Sequence, residues 1–224
     1  FADFCNSPFN FTPERVKGKT VAYSTTNGTH AITQATSGLN VVIASFLNLT
    51  AVSNWLINQP NGDVVILCAG WKGRYCTEDS LLAWAIAQKL LDINKFETKC
   101  DATHSSIDLW NYAKTDIFSY LERVAQRHRL KRLGLDDVLE YCFTPDSMDK
   151  VPIYRNGKIS LSEWTWISPA NPIQTNAIAV TNERNKNVIQ QATQPYFSFQ
   201  ILRKFQIIVI ILTIYCHIVL QFKT

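Results

Sequence analysis

The segment Cys68–Arg74 combines a thiol, two glycines and two basic side chains within seven residues. Glycine loops and helix N-termini offer free N–H groups, and an arginine side chain offers two parallel donors to an oxyanion. Glu78 and Asp79 follow at the predicted start of a helix, and their carboxylates could hold a hard cation. These residue types at this spacing predict a site for a phosphate ester.

Two earlier segments resemble this one, because each places polar residues directly after an apolar strand. Carboxyl ends of parallel strands meet at one edge of a sheet, so the three loops should converge there. Taken singly, each has a simpler structural interpretation: a turn at Asn27-Gly28, a helix cap at Asn48, and acidic residues favoured in a first turn at Glu78 and Asp79. Together they predict substrate-binding residues at Thr25, Thr26, Asn27, Gly28, Asn48, Gly70, Lys72 and Gly73.

Apolar strands alternating with helices must position these loops. The periodicity predicts strands at 19–24, 39–45 and 63–69, and helices at 30–35, 50–56, 77–91, 107–113, 116–133 and 136–143. Residues 153–159 should turn back on themselves at Asn156-Gly157. Strands that are apolar on both faces indicate a parallel sheet covered on both sides. The predicted fold class is α/β, a three-layer α/β/α sandwich with a mostly parallel sheet.

The character of the sequence changes after Ile159. Residues 1–159 form the predicted main domain, and residues 160–204, rich in Asn, Gln, Thr and Ile, are predicted to be a linker. Residues 205–222 form an uncharged, mostly apolar run at the lower length limit for a membrane span. Two interpretations stay open for this run: a transmembrane tail and an aberrant extension.

Composition narrows the class of protein. The 224 residues are 46% hydrophobic and 18% charged, which excludes a disordered or fibrous chain. Residues 1–159 contain 17 Lys and Arg against 16 Asp and Glu, and this near-neutral balance argues against nucleic acid as a partner. The 6 cysteines form no CxxC pair, so we expect a reduced, cytoplasmic protein without a structural metal site.

The residues of the three loops, in their order along the chain, resemble those of the 2-phosphosulfolactate phosphatase (ComB-type) family. The resemblance covers residues 1 to about 159, and TTNGT, CAGxxGR and the Glu78-Asp79 step are its most specific parts. It implies a ComB-like three-layer fold and Mg²⁺-dependent hydrolysis of 2-phospho-3-sulfolactate to 3-sulfolactate and phosphate, a step of coenzyme M biosynthesis in methanogens. The matching segments are Asn6-Ser7-Pro8, 17–32, 44–52, 64–86, 132–142 and Val151-Pro152.

The resemblance also implies roles for individual residues. Mg²⁺ would bind Glu78 or Asp79, with Asp137 as a further candidate. Neighbouring helical residues point about 100° apart, so only one of the adjacent pair is expected as a direct ligand. Arg74 and the N–H groups of Gly70–Gly73 would bind phosphate or sulfonate. The implied partner is a small anionic phosphoester, and the preferred nucleophile is a metal-activated water. Assembly of the chain into a homo-oligomer is left open as a further possibility.

Two alternatives to this reaction remain. Cys68 and Arg74 also have the C-x5-R spacing of cysteine-dependent phosphatases, in which a thiolate attacks phosphorus. Tyr75 departs from that pattern, since Ser or Thr usually follows the arginine, and Cys68 could simply be the last buried residue of a strand. In the other alternative the chain is an inactive truncated fragment. Family members carry an upstream strand with an Asp and an Arg-Ala-Thr step that this sequence lacks, and nothing in them matches the tail from Ser160.

Overall fold

The structure is a computed structural model that describes residues 3–4, 7–36, 40–59, 63–161 and 207–211. Within these ranges, five strands form one sheet in the order β2-β5-β1-β3-β4. Strands β1, β5 and β2 are parallel neighbours, whereas β3 pairs antiparallel with both β1 and β4. The bounds are β1 Asn40–Ala44, β2 Val64–Cys68, β3 Pro152–Arg155, β4 Lys158–Leu161 and β5 Ile207–Ile211.

Helices flank this sheet, which confirms the predicted α/β class and its mostly parallel sheet. Their bounds are α1 Pro13–Val16, α2 Gly28–Ala35, α3 Leu49–Ile57, α4 Thr77–Asp92, α5 Asp101–Ala113, α6 Ile117–Leu121, α7 Ala125–Arg132 and α8 Asp136–Phe143. Every residue of β2 is buried, as are Val41–Ala44 of β1, because helices cover strands that are apolar on both faces.

Helix α4 is the main support of the loop that precedes it. It contacts β2, β5, α3 and α5, and its side chains Leu81, Leu82 and Ile86 are fully buried. Burying one such side chain stabilises the fold by about 1.5–3 kcal/mol. The first turn of α4 is therefore held firmly against the carboxyl end of β2.

The centre of the sheet is β5, which lies far along the chain. It sits between β1 and β2, with Val209 opposite Val42 on one side and Ile66 on the other. Residues Val209–Ile211 are fully buried, so the apolar composition of this stretch suits a strand covered on both faces. Residues 205–206 and 212–222 of the predicted tail, and 162–204 of the predicted linker region, lie outside the described residues. No described helix is long and apolar enough to cross a bilayer.

Three sequence predictions differ from the structure. The strand predicted at 19–24 does not form, because β5 and β3 occupy both sides of β1 and residues 19–24 are at most half-buried. The helix predicted at 116–133 is interrupted between α6 and α7, and Asp116 caps α6 by accepting the Ser119 N–H at 3.0 Å. The helix predicted at 107–113 begins earlier, at Asp101.

Candidate active site

The loop after β2 is a compact hairpin turn. Trp71 and Arg74 exchange two backbone hydrogen bonds, of 3.1 and 3.0 Å, across Lys72 and Gly73. Both central residues have positive φ, 50° and 70°, which is the geometry of the tight turns that join antiparallel strands. As a result the side chains of Lys72 and Arg74 are exposed to solvent.

The first and third predicted loops meet at this turn. Asn27 is buried, and its Oδ1 accepts the backbone N–H of Lys72 at 3.0 Å although the two residues are 45 positions apart. Asn27 thus ties the start of α2 to the turn. Thr25 helps to fix that start, because its Oγ1 accepts the Thr29 N–H at 3.0 Å.

The other predicted residues of the first loop have different surroundings. Gly28 is buried as the first residue of α2, whereas the side chain of Thr26 is exposed beside it. Thr26 is therefore the residue of this loop whose hydroxyl is open to a ligand.

Backbone N–H groups of the turn are already used within the protein. Gly70 donates to Asp79, Trp71 donates to the Arg74 carbonyl, and Lys72 donates to Asn27. The predicted row of amides at Gly70–Gly73 is therefore largely engaged in holding the turn. Positive charge at this loop comes from the exposed side chains of Lys72 and Arg74.

The two acids at the start of α4 are both buried. Glu78 is 2% exposed and Asp79 is 4% exposed. Asp79 Oδ2 accepts the Gly70 N–H at 2.8 Å, and Glu78 Oε2 accepts the Cys76 thiol at 2.9 Å. The sequence predicted only one of the two acids as a direct Mg²⁺ ligand, which these contacts within the protein do not test. Hydrogen bonds connect both acids to the loop between β2 and α4.

Burial shifts the pKa of Glu78 and of the neighbouring Cys76 thiol. Desolvation raises the pKa of Glu78, and the hydrogen bond from Cys76 acts in the opposite direction. Desolvation, followed by the charges of Asp79 and Glu78, raises the pKa of the Cys76 thiol. Cys76 is therefore held as a neutral donor to the carboxylate.

Cys68 lies at the end of β2 and is buried. Burial, reinforced by the charge of Asp79, raises the pKa of its thiol well above the ordinary value. A nucleophilic cysteine needs the opposite shift, toward thiolate. The C-x5-R spacing here spans a hairpin turn with an exposed Arg74, and this environment does not favour a cysteinyl-phosphate intermediate.

Asn48 is fully buried and its amide is saturated by the protein. Its Oδ1 accepts the Ser45 N–H at 2.8 Å, and its Nδ2 donates to the carbonyls of Ile43 and Lys150 at 3.3 and 3.0 Å. These bonds give Asn48 a structural role, joining the loop after β1 to the residues before β3. Its assignment to substrate stays a prediction that this geometry does not favour.

Asp137 is the further metal ligand that the resemblance implied. It is exposed in the first turn of α8, and its Oδ1 accepts the N–H of Val138 at 2.9 Å. Across the described residues, no three His, Cys, Asp or Glu side chains form a group that could hold a metal ion. The acids that the structure does gather beside the loop are Glu78 and Asp79.

Three residues of this region were missed by sequence reasoning. Trp71 forms the corner of the turn, Cys76 donates to Glu78, and Arg129 of α7 places its guanidinium 5.5 Å from the centre of the Trp71 ring. Trp71 and Cys76 stand within the motif and could have been considered from it. Arg129 approaches only through tertiary packing, so no local pattern indicates it.

An α/β fold with two buried acids and exposed cations beside one strand end defines a class of protein that handles small anionic ligands at a sheet edge. Within that class the comparison with known proteins is specific. The family model described as 2-phosphosulpholactate phosphatase matches residues 1–157, and the chain belongs to this family.

Individual relatives agree with the family assignment. A probable 2-phosphosulfolactate phosphatase from Caldanaerobacter subterraneus subsp. tengcongensis is 35% identical over 161 residues, covering 72% of this chain and 66% of the relative. The protein of the same description from Clostridium beijerinckii is 34% identical over 167 residues, covering 70% and 66%. That from Thermotoga maritima is 34% identical over 159 residues, covering 71% and 67%. The chain thus spans about two thirds of these relatives' length.

Proposed function

We propose that this protein hydrolyses 2-phosphosulfolactate to sulfolactate and phosphate in a Mg²⁺-dependent reaction. The observation that supports the proposal most directly is the buried pair Glu78 and Asp79, fixed beside an exposed basic turn. Mg²⁺ is commonly held by one or two carboxylates together with substrate phosphate oxygens. The chemistry of the acid pair therefore fits this ion without a third protein ligand.

Each residue of the site has its own role in the proposed hydrolysis. Asp79 and Glu78 would hold Mg²⁺, which when bound neutralises negative charge on the phosphate oxygens. The Gly70 N–H and the Cys76 thiol keep the two carboxylates in place. Lys72 and Arg74 would attract the anionic ester to the turn. Water adds its oxygen to phosphorus, the ester P–O bond breaks, and the sulfolactate oxygen takes up a proton.

The test is phosphate release from racemic 2-phosphosulfolactate by the full 224-residue chain, with Mg²⁺ and with EDTA. We expect release only with Mg²⁺. Asp79→Asn and Glu78→Gln should each lower kcat by about 100-fold, since each removes a charge that acts in the transition state. Both variants retain an oxygen that can accept the same hydrogen bond, so the loop should keep its conformation.

Glu140→Gln is the matched control, because it removes an exposed acid of α8 and should leave turnover unchanged. Release that persists in EDTA would contradict the role of Mg²⁺. Full activity of Asp79→Asn and Glu78→Gln would remove the acid pair from the reaction. A folded wild-type protein that releases no phosphate would refute the proposed function.

A further inference from the structure

A further cation, Arg129, lies beside the basic turn at the ring of Trp71. Lys72 Nζ lies 5.0 Å from the ring centre, and the guanidinium carbon of Arg129 lies 5.5 Å from it. Arg74 stands across the turn from Trp71. Three cationic residues from two separate elements therefore lie at the loop that precedes the acid pair.

Arg129 differs from its neighbour on the same helix. Arg127 has a structural role, because it forms ion pairs with Glu122 at 2.7 Å and also with Asp136. Arg129 is half-buried and faces Trp71 instead. Within the described ranges, Lys72, Arg74 and Arg129 form no ion pair with a carboxylate. Like charges held together without a neutralising acid favour binding of an anion from solution.

The ester named by the family offers more than one anion. 2-Phosphosulfolactate carries a phosphate, a carboxylate and a sulfonate, so charge complementarity requires cations beyond those that hold the phosphate. A guanidinium is weakly hydrated and presents a planar fork of donors, which suits a sulfonate. Trp71 limits the directions in which the Arg129 side chain can point, because the ring packs against the guanidinium.

We propose that Arg129 is a specificity residue that binds the sulfonate of the substrate, with Trp71 positioning its guanidinium. This inference rests on the proposed function and deepens it. It assigns the sulfonate end to Arg129 beside Trp71 and the phosphate end to the acid pair beside the same loop.

The test compares two esters that differ only at the sulfonate, 2-phosphosulfolactate and 2-phospholactate. Arg129→Ala should raise KM for the sulfonated ester about 10- to 100-fold, the loss expected for a charge-assisted hydrogen bond, with little change in kcat. KM for 2-phospholactate should not change. KM for the sulfonated ester should rise less in Arg129→Lys, because lysine keeps the positive charge but lacks the planar donors of the guanidinium.

Arg123→Ala is the matched control. Arg123 lies 4.2 Å from the ring centre of Tyr120, so this variant also loses an arginine–aromatic contact, but one with a ring other than Trp71. Its KM values should equal those of the wild type. An equal rise of KM for both esters in Arg129→Ala would place Arg129 on a group that they share and overturn the assignment. An unchanged KM for the sulfonated ester would also overturn it.

Binding of the product 3-sulfolactate tests the role of Arg129 independently of catalytic activity. The melting temperature is measured with 3-sulfolactate and with lactate, neither of which requires turnover. Sulfolactate should stabilise the wild type and Arg123→Ala but not Arg129→Ala, even if the wild type releases no phosphate and the proposed function fails. Equal stabilisation of all three proteins by sulfolactate would refute a role for Arg129.

Discussion

Two glycines of one turn allow a matched test of its conformation. Gly70 and Gly73 both have positive φ, 66° and 70°. A Cβ added at Gly70 would lie 2.7 Å from the carbonyl oxygen of Arg74, whereas a Cβ at Gly73 would meet nothing within 4 Å. Alanine at either position should therefore cost the same backbone strain, and only Gly70→Ala should add a collision.

The magnitudes follow from these contacts. A left-handed conformation costs an L-residue about 1–2 kcal/mol, and both variants share this cost. Relief of the Gly70 collision must displace the Arg74 carbonyl, which accepts the Trp71 N–H at 3.1 Å. Losing that bond costs about 1 kcal/mol more. The gain from a less flexible unfolded chain is similar in both variants and cancels in their comparison.

Thermal and urea unfolding of the two variants measure this difference. Gly70→Ala should be less stable than Gly73→Ala by at least about 1 kcal/mol, or about 2–4 °C in Tm for a chain of this size. Equal Tm values would refute the inference that close approach of the Arg74 carbonyl requires glycine at position 70. A Tm of Gly73→Ala below that of Gly70→Ala would contradict the geometry of the turn.

Three further predictions address the acid pair, the thiol and the central strand. Because burial raises the pKa of Glu78, its ionisation opposes folding, and stability should fall as pH rises from 4.5 through the native pKa. Glu78→Gln should therefore raise stability at pH 8 by on the order of 1 kcal/mol, and unfolding measured across pH should show the gain vanish near pH 4.5. Cys68→Ser should retain most phosphate release, whereas near-complete loss with an unchanged Tm would revive a thiolate mechanism. Ile210→Ala should cost about 2–5 kcal/mol in urea unfolding, and an unchanged midpoint would show that β5 is not part of the core.

Several features of the fold and of the site were predictable because they depend on short segments of the sequence. The apolar runs that became β1 and β2 need only burial on both faces, and Glu78 and Asp79 mark the first turn of α4 as predicted. The hairpin of β3 and β4 turns at Asn156-Gly157, where both residues have positive φ. Each of these features depends on residues close together in the sequence.

Features that depend on distant partners were not predictable in the same way. A strand was also predicted at 19–24, yet β5 takes the position beside β1. Asn48 was assigned to substrate from its place after a strand, whereas the carbonyl of Lys150 and its other partners saturate its amide. Only the folded chain brings these groups within hydrogen-bonding distance.

By itself the sequence determined the family, the α/β class and the segment that carries the acids and the basic turn, because these depend on local residue types and spacing. Tertiary structure alone decided that both Glu78 and Asp79 are buried, that Arg129 joins Trp71, and that Ile207–Ile211 fills the centre of the sheet. Periodicity shows which segments need a partner but not which partner they find. That choice is made by packing among residues far apart in the chain.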